Sequence, residues 1–474
     1  MFPSIFSLRP FRQTAVLIIT LLLSACAEQT IMVSSTIGAG EEAAENGVVV
    51  WARGNAQDHQ RANALIAAMA QDPALAGVPA QAEMYHIGAG SYESLWQIAE
   101  ENGRPPDIVA LDMGDLPEWA AQGRLEPLDD CLNQYAEFAD ARPELWPAVT
   151  WQGQRWGVPQ ELGLHLFFFN KAKLRQLGWS ETEIESLPQR IQSGQFSLAD
   201  MAETARQAVA QGVADPGFGY WRRPGTISES VLNHYAAFGG QFTDPDDPGK
   251  LVINRNALEQ TYAFARQLRQ NNVAPANAAS APWNRAMSQS IWHDAVSHGQ
   301  VLFWDAPIWY WARWDEYYSG AAFLEENVGY ALQPGGTTGQ PGFAWATARF
   351  YALSASRTAA EKARACRILA RATTPEINLA HVTDNMYLSV LQPESYGAGA
   401  AADRYEEKDI LRFGETAVSR AQLLPNQPQF GRYANILLEY LLLAEDGRMT
   451  PEEAAAAAIS KLEAELGKEL TIGE

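Results

Sequence analysis

Six tryptophans lie close together in the second half of the chain. They fall within 32 residues, where an even spread of 15 tryptophans over 474 residues would place about one. Indole rings stack on the apolar faces of sugars, and sugar hydroxyl groups need polar partners, so a cleft of such residues suits a carbohydrate. Packing in the core is the alternative for most of these rings. The six are Trp283, Trp292, Trp304, Trp309, Trp311 and Trp314.

Two polar residues stand beside Trp309 in this cluster. Asp305 precedes it by four positions, and Tyr310 follows it directly. Both side chains could bind hydroxyl groups of a ligand that stacks on the indole ring. Asp305 could equally be a solvated acid in a loop.

Two strand-like runs near the N-terminus are each followed by polar residues. Residues 48–51 are a continuous apolar stretch, residues 106–111 have a continuous apolar core, and amphipathic helical patterns alternate with them. This alternation predicts an α/β fold with a parallel sheet, in which ligands bind beyond the carboxyl ends of the strands. Asn55 and Asp58 after the first run, and Asp112 after the second, are therefore candidate ligand contacts. Asn55 and Asp58 could instead cap a helix.

Two helix starts are marked by capping boxes. Thr358 is followed three residues later by Glu361, and Thr450 is followed by Pro451 and then by Glu453. In each pair the hydroxyl and the carboxyl group can satisfy free backbone N–H groups of the first helical turn. We therefore predict helices that begin after Thr358 and after Thr450.

Signatures of enzymes are absent from the sequence. It contains no His-Glu-x-x-His, Gly-x-Ser-x-Gly or Gly-x-x-x-x-Gly-Lys-Ser/Thr motif, and no spacing among the 56 acidic residues singles out a catalytic pair. His293 and His298 stand five positions apart and do not share a helix face, so we interpret them as solvated surface residues. We expect no catalysis, no cofactor and no metal.

The N-terminal segment has the features of a secretory signal. Two arginines precede an apolar run at residues 15–23, which is too short to span a membrane and ends in Leu-Ser-Ala-Cys at Cys26. That ending resembles the lipobox of bacterial lipoproteins, in which the cysteine carries the lipid. We predict a signal peptide over residues 1–25 and a lipidated tether over residues 26–46. The alternatives are a buried strand, or an ordinary signal in which Cys26 is incidental.

Two more cysteines, Cys131 and Cys366, complete the set of three. This number is too small for a disulfide framework. We expect two buried free thiols, and a disulfide between them is the alternative because their distance in space cannot be judged from the sequence.

The chain is strongly acidic. It has 35 lysines and arginines against 56 acidic residues, a net charge of −21, and loss of the two arginines of the signal would leave 33 against 56, or −23. Such a charge repels phosphates, so nucleic acid and anionic membrane surfaces are poor partners. With 47% hydrophobic and 19% charged residues, the composition is that of a folded globular protein.

Several segments occur in a characteristic order along the chain. They are Pro-Asp-Ile-Val at residues 106–109, Trp-Gly-Val-Pro at 156–159, Phe-Phe-Asn-Lys at 168–171, the run at 299–311 and the Pro-rich turn at 423–430. Together they resemble the extracellular solute-binding proteins of bacterial ABC importers, in particular the maltose-binding group. The resemblance covers nearly the whole chain after the tether.

The resemblance implies two α/β lobes that are joined by crossing strands and close on a ligand, as periplasmic binding proteins do. By analogy, the chain crosses between lobes near Val158-Pro159 and near Gln333-Pro334. The first lobe would comprise residues 47–158 plus 334–392, and the second lobe residues 159–333 plus 393–474.

The resemblance also adds candidate ligand contacts. Trp309 stands at the position of the tryptophan that stacks on sugar in that family, and Glu161 follows the first crossing. Trp221 follows a Gly-rich turn, and Phe430 and Tyr433 follow the Pro-rich turn at 423–430.

The function that these features favour is capture of a mono- or oligosaccharide by a lipid-anchored, monomeric receptor in the periplasm or at the cell surface. The resemblance implies that the receptor delivers the sugar to a membrane permease, whose ATPase is a separate subunit. Two alternatives stay open: a surface-anchored glycoside hydrolase or lyase, and a receptor for a non-sugar solute such as a polyamine.

Overall fold

The structure is a computed structural model that describes residues 32–37, 47–53, 59–75, 77–85, 89–222, 229–245, 247, 249–275 and 285–473. Within these ranges the strands are β1 (Met32–Ile37), β2 (Val48–Arg53), β3 (Ala80–Tyr85), β4 (Ile108–Asp112), β5 (Thr150–Trp151), β6 (Gln154–Arg155), β7 (Val158–Asn170), β8 (Tyr220–Trp221), β9 (Leu251–Asn254), β10 (Phe303–Pro307), β11 (Val328–Ala331), β12 (Ala344–Leu353), β13 (Ala421–Leu423) and β14 (Leu470–Gly473).

Helices lie between most of these strands. They are α1 (His59–Ala70), α2 (Ala89–Glu101), α3 (Leu116–Ala121), α4 (Asp129–Leu132), α5 (Lys171–Gln176), α6 (Glu181–Glu185), α7 (Leu187–Gln192), α8 (Leu198–Ala210), α9 (Glu229–Ala237), α10 (Arg255–Gln270), α11 (Arg285–Ser297), α12 (Tyr310–Tyr317), α13 (Ala321–Asn327), α14 (Ala359–Ala372), α15 (Pro375–Asn385), α16 (Ala400–Glu406), α17 (Asp409–Ala417), α18 (Phe430–Glu445) and α19 (Pro451–Leu466). Both predicted capping boxes are present, with Thr358 before α14 and Thr450 before α19. None of the described helices is long and apolar enough to cross a membrane.

Ten of the described strands form one sheet in the order β1-β3-β2-β4-β12-β7-β10-β8, with β11 beside β7 and β13 beside β12. The α/β class is as predicted, and β2, β3 and β4 are parallel. The sheet as a whole is mixed, however, because β12 runs antiparallel to both β4 and β7. The predicted parallel pairing is therefore found among β2, β3 and β4, but it does not extend to the longest strands, β7 and β12, which pair in opposite directions.

Two separate cores flank the middle of this sheet, and we call the parts around them the first and the second lobe. In the first lobe, helices α1 and α14 cover one face of β2, β3 and β4, and α2 and α3 cover the other. In the second lobe, β7 and β10 bury a large aromatic cluster that includes Phe168, Trp304 and Trp314, and helices α10, α18 and α19 form an adjoining cluster.

The two longest strands contribute to both cores. β7 places Val158 in the first core and its later apolar residues in the second, while β12 places Ala346 in the second core and Leu353 in the first. Residues 335–342, after the predicted crossing at Gln333-Pro334, still bond to residues 191–198 and to Ala237 in the second lobe. We therefore propose that the chain returns to the first lobe along β12.

Three features differ from the expectations at particular residues. Within the predicted tether, Met32–Ile37 forms strand β1, which pairs antiparallel with β3. Cys131 and Cys366 form a disulfide between α4 and α14, so the expectation of two free thiols was wrong. His293 is only 1% exposed and accepts a hydrogen bond from Trp314 Nε1 at 3.0 Å, so it is a core residue rather than a solvated one.

Candidate functional site

Trp309 lies on the middle of the sheet, where the chain leaves β10 and enters α12. Its indole ring rests on β7 at Gly163, where an added Cβ would stand 2.2 Å from the ring carbon Cζ3. The ring stacks on Tyr387, with centroids 5.1 Å apart and planes inclined by 19°, and contacts His165 edge-on at 5.5 Å. Gly163 therefore allows an aromatic platform to form on the strand surface, and Trp309 stays only partly buried.

The guanidinium group of Arg349 lies against both rings of this platform. Its central carbon lies 5.3 Å from the ring centroid of Trp309 and 5.5 Å from that of Tyr387. Arg349 also donates a hydrogen bond of 2.6 Å to the hydroxyl oxygen of Tyr387. A guanidinium at this distance from an aromatic face is held by cation–π attraction, so the rings and Arg349 form one unit.

Two carboxylates pair with Arg349. Asp112, at the end of β4, lies 3.0 Å from Nε and is 40% exposed, and Glu161 on β7 lies 3.1 Å from Nη1 and is fully buried. Burial alone would raise the pKa of Glu161, but a hydrogen bond from His381 and the charges of Arg61 and Arg349 outweigh burial and lower the pKa to about 2. Glu161 is therefore an anion throughout the neutral range.

A cavity of about 780 Å³ is lined in part by Trp345, which lies on the same strand as Arg349. This volume is in the size range of small-molecule sites. One wall is formed by Pro147, Ala148 and Thr150, and Val149 between them packs in the first lobe. Another wall is formed by residues between 236 and 245, which belong to the second lobe. Trp345 and residues 422–427 complete it. The cavity therefore lies between segments that pack in different lobes.

The described residues that line this cavity carry no charged side chain. Among them are Phe242, Trp345 and the amide side chains of Gln241, Gln422, Asn426 and Gln427. The buried Nε1 of Trp345, a donor, and the buried Oδ1 of Asn426, an acceptor, have no hydrogen-bond partner. Buried polar groups are nearly always paired, and these two unpaired atoms belong to residues that line the cavity.

The cavity and the aromatic platform meet at the sheet. Trp345 on β12 pairs in register with His165 on β7, and His165 is the residue that Trp309 contacts edge-on. The pairing of β7 with β12 thus places Trp345 next to the histidine that Trp309 contacts.

Of the predicted ligand contacts, Trp309, Asp112 and Glu161 come together at this site. Asp305 does not join them: it is 2% exposed and accepts hydrogen bonds from Tyr220 at 2.7 Å and from Asn233 at 3.2 Å. Its burial speaks against the expected ligand contact, and the alternative of a solvated acid in a loop is wrong because Asp305 lies inside strand β10. Asn55 and Asp58 lie outside the described residues.

The other predicted aromatic contacts are buried in the cores. Tyr310 packs against Trp292 and His293, and the Trp221 carbonyl accepts a hydrogen bond from Trp292 Nε1. Phe430 and Tyr433 pack in the cluster of α10, α18 and α19, where the Tyr433 hydroxyl donates to the Val252 carbonyl at 2.8 Å. These four rings stabilise the second lobe and do not line the cavity.

The residues that the sequence reasoning missed come from three separate segments. Arg349 is detectable as the one charged residue of the mostly apolar run of β12. Asn426 lies in the Pro-rich turn at 423–430, which contributes to the resemblance to solute-binding proteins. Trp345, Tyr387 and His381 carried no local signal. Among the described residues, no group of three or more His, Cys, Asp or Glu could hold a metal ion.

Comparison with known proteins identifies the family. Residues 83–377 match the family described as bacterial extracellular solute-binding protein, whereas no curated protein matches the chain. The GacH receptor of Streptomyces glaucescens has a similar structure, with a TM-score of 0.69 and 17% identity over 88% of this chain and 97% of that chain. Maltose-bound MalE3 of T. maritima has a TM-score of 0.68 and 16% identity over 88% of this chain and 99% of that chain.

MalE of Xanthomonas citri is a third structural relative, with a TM-score of 0.68 and 17% identity over 89% of this chain and 98% of that chain. Identities this low establish a common fold, and the two-lobe α/β fold predicted from the sequence is confirmed. The family match covers more than half of the chain. The chain therefore belongs to the bacterial extracellular solute-binding proteins.

Proposed function

We propose that this protein is the sugar-binding component of an ABC importer. The observation that carries the proposal is the uncharged cavity in which an indole donor, Trp345 Nε1, and an amide acceptor, Asn426 Oδ1, are both buried without partners. A hydroxyl group can accept from the first and donate to the second, whereas an ammonium group only donates and a carboxylate only accepts. The partly exposed ring of Trp309 would stack on an apolar sugar face.

The charges around Trp309 argue against the two alternatives. A polyamine needs unpaired carboxylates, but Asp112 and Glu161 are both paired with Arg349. A glycoside hydrolase needs an acid whose pKa is raised, whereas the pKa of Glu161 is lowered to about 2. The site therefore suits binding of a neutral solute without turnover.

The ligands of two structurally similar proteins support a sugar of two or more units. The Thermus thermophilus relative is a maltotriose-binding protein bound with maltotriose, and the Arthrobacter globiformis relative binds cyclic alpha-maltosyl-1,6-maltose. We propose that the ligand is an oligosaccharide, that the two lobes close on it, and that the closed monomer delivers it to a permease driven by a separate ATPase.

A thermal-shift screen tests the proposed ligand class. The chain from residue 27 onward is melted with maltotriose, glucose, spermidine or no addition. Ligand at 100 times Kd stabilises a protein by about 2.7 kcal/mol, so we expect maltotriose to raise the melting temperature and spermidine to leave it unchanged. A shift with spermidine alone, or release of new reducing ends from maltotriose, would contradict the proposal.

A matched pair of variants assigns the binding to the cavity. Trp345→Phe and Trp96→Phe both remove a buried, unpartnered indole N–H and the same ring volume, but Trp96 lies in the first-lobe core. We expect Trp345→Phe alone to weaken maltotriose binding about tenfold, the worth of one hydrogen bond, when affinity is measured by calorimetry. Equal affinities of the two variants would place the ligand elsewhere.

We also propose that Cys26 carries a lipid that anchors the receptor to the membrane. The support is the sequence Leu-Ser-Ala-Cys at the end of an apolar run, together with membership of an extracellular family. Cys26→Ser is expected to abolish labelling with a radioactive fatty acid and to release the protein from the membrane fraction. Undiminished labelling of the variant would rule out this attachment site.

A further inference from the structure

Glu161 is a buried carboxylate that does not line the cavity, yet three cationic or donor groups converge on it. Its Oε1 lies 3.1 Å from Arg349 Nη1 and 3.7 Å from Arg61 Nε, and its Oε2 lies 2.7 Å from His381 Nε2. A carboxylate only accepts, so His381 donates this bond. Burying charges is costly unless their geometry is well satisfied, and here both carboxylate oxygens have partners.

The partners of Glu161 are themselves fixed from several elements. Arg61 on α1 donates to Gln160 Oε1 at 2.9 Å and to the carbonyl oxygens of Leu111 and Phe350. The Tyr351 hydroxyl donates to the carbonyl oxygen of Arg61 at 2.6 Å. The carboxylate thus stands in a rigid frame built from α1, β4, β7 and β12.

Glu161 controls the orientation of Arg349. Asp112 holds Nε of the guanidinium, Glu161 holds Nη1, and the Tyr387 hydroxyl oxygen accepts a second bond from Nη1. Because a guanidinium is planar, these contacts at its edge fix its orientation, and its central carbon lies 5.3 Å from the ring centroid of Trp309 and 5.5 Å from that of Tyr387.

We propose that Glu161 is a positioning residue for ligand binding, which acts through Arg349 on the ring of Trp309 and touches no ligand itself. This inference rests on the proposed function, in which Trp309 stacks on the sugar. It replaces the expectation that Glu161 is a ligand contact, because the side chain is fully buried behind Arg349.

A second, partly buried cluster of the same chemistry provides a control. Arg142 pairs with Glu415 at 2.5 Å and donates to the Tyr396 hydroxyl at 3.2 Å, so it repeats the Arg–Glu–Tyr arrangement. Its partners lie in α17, at Tyr396 and at the Ser389 carbonyl, and none of them contacts Trp309. Glu161→Gln and Glu415→Gln therefore make the same chemical change, and only the first involves the platform.

The first test needs no ligand. The protein is labelled with 5-fluorotryptophan, and the ¹⁹F resonance of Trp309 is assigned by its loss in Trp309→Phe. We expect Glu161→Gln to shift this resonance and Glu415→Gln to leave it in place. A Trp309 resonance that does not move in folded Glu161→Gln would overturn the proposal, whatever sugar the protein binds.

The second test measures maltotriose affinity by calorimetry. Glu161→Gln is expected to weaken binding about tenfold, equivalent to 1.4 kcal/mol, and Glu415→Gln is expected to bind like the unmodified protein.

A double variant tests whether Glu161 acts through Arg349. Arg349→Lys keeps the charge but lacks the planar guanidinium group. The variant with both Glu161→Gln and Arg349→Lys should therefore bind maltotriose no more weakly than Arg349→Lys alone. Additive losses would show that Glu161 acts independently of Arg349. Absence of maltotriose binding by the unmodified protein would count against the proposed function, and the ¹⁹F result would still decide the role of Glu161.

Discussion

Trp309→Ala is expected to weaken maltotriose binding by roughly 30- to 1000-fold, which corresponds to about 2–4 kcal/mol. Among the described tryptophans between residues 283 and 314, Trp309 is the one that is partly exposed. Its removal would expose the backbone of Gly163 and leave Arg349 and Tyr387 without the ring that they both contact. The ligand would then lose its stacking surface, and the groups around that surface would lose their order.

Trp304 provides the control for this prediction. It is a fully buried tryptophan on β10 that stacks on Phe168 at 5.8 Å, so Trp304→Ala should lower the free energy of unfolding by about 3–5 kcal/mol. For Trp309→Ala we expect a smaller loss of stability in urea denaturation and a much larger loss of affinity in calorimetry. If both variants lost stability equally and Trp309→Ala bound maltotriose normally, Trp309 would be a core residue and the proposed stacking would be wrong.

Local patterns predicted those parts of the fold that depend on a few neighbouring residues. The capping boxes at Thr358 and Thr450 set the starts of α14 and α19 because the bonds of a capping box span only three residues. The apolar spacing of α1 placed Ala62, Leu65 and Met69 toward the core for the same local reason.

The sequence could not separate tryptophans of the site from tryptophans of the core. Trp304, Trp309 and Trp314 belong to one dense cluster, but only Trp309 lies partly exposed at the middle of the sheet. The difference depends on Gly163, which is 146 positions away from Trp309 in the chain. A contact of this kind follows from strand pairing, which residue composition does not reveal.

The ion pairs of the site were hidden for the same reason. Glu161 and His381 are separated by 220 positions, and Arg61 and Gln160 by 99. Each residue alone is compatible with a solvated surface position. Only the pairing of β7 with β12, and the packing of α1 and α15 beside them, brings the charges together and buries them.

The disulfide between Cys131 and Cys366 gives the second large expected effect. The bond joins α4 to α14 across 235 positions of sequence, and both sulfur-bearing side chains are buried in the first-lobe core. A cross-link restricts the unfolded chain more when the loop is longer, and native disulfides typically contribute about 2–4 kcal/mol. An oxidising compartment outside the cytoplasm, which the extracellular family implies, is where such a bond persists.

The variant Cys131→Ala with Cys366→Ala should therefore lower the free energy of unfolding by about 2–4 kcal/mol in urea denaturation. Dithiothreitol should lower the stability of the unmodified protein by a similar amount and leave the double variant unchanged, because the variant has no bond to reduce. Maltotriose affinity should be the same in both proteins, since the bond lies between α4 and α14 and none of its neighbours contacts Trp309 or lines the cavity. Two thiols titrated in the denatured, unreduced protein that starts at residue 27 would show that the bond does not form, and this result would restore the expectation of two buried free thiols.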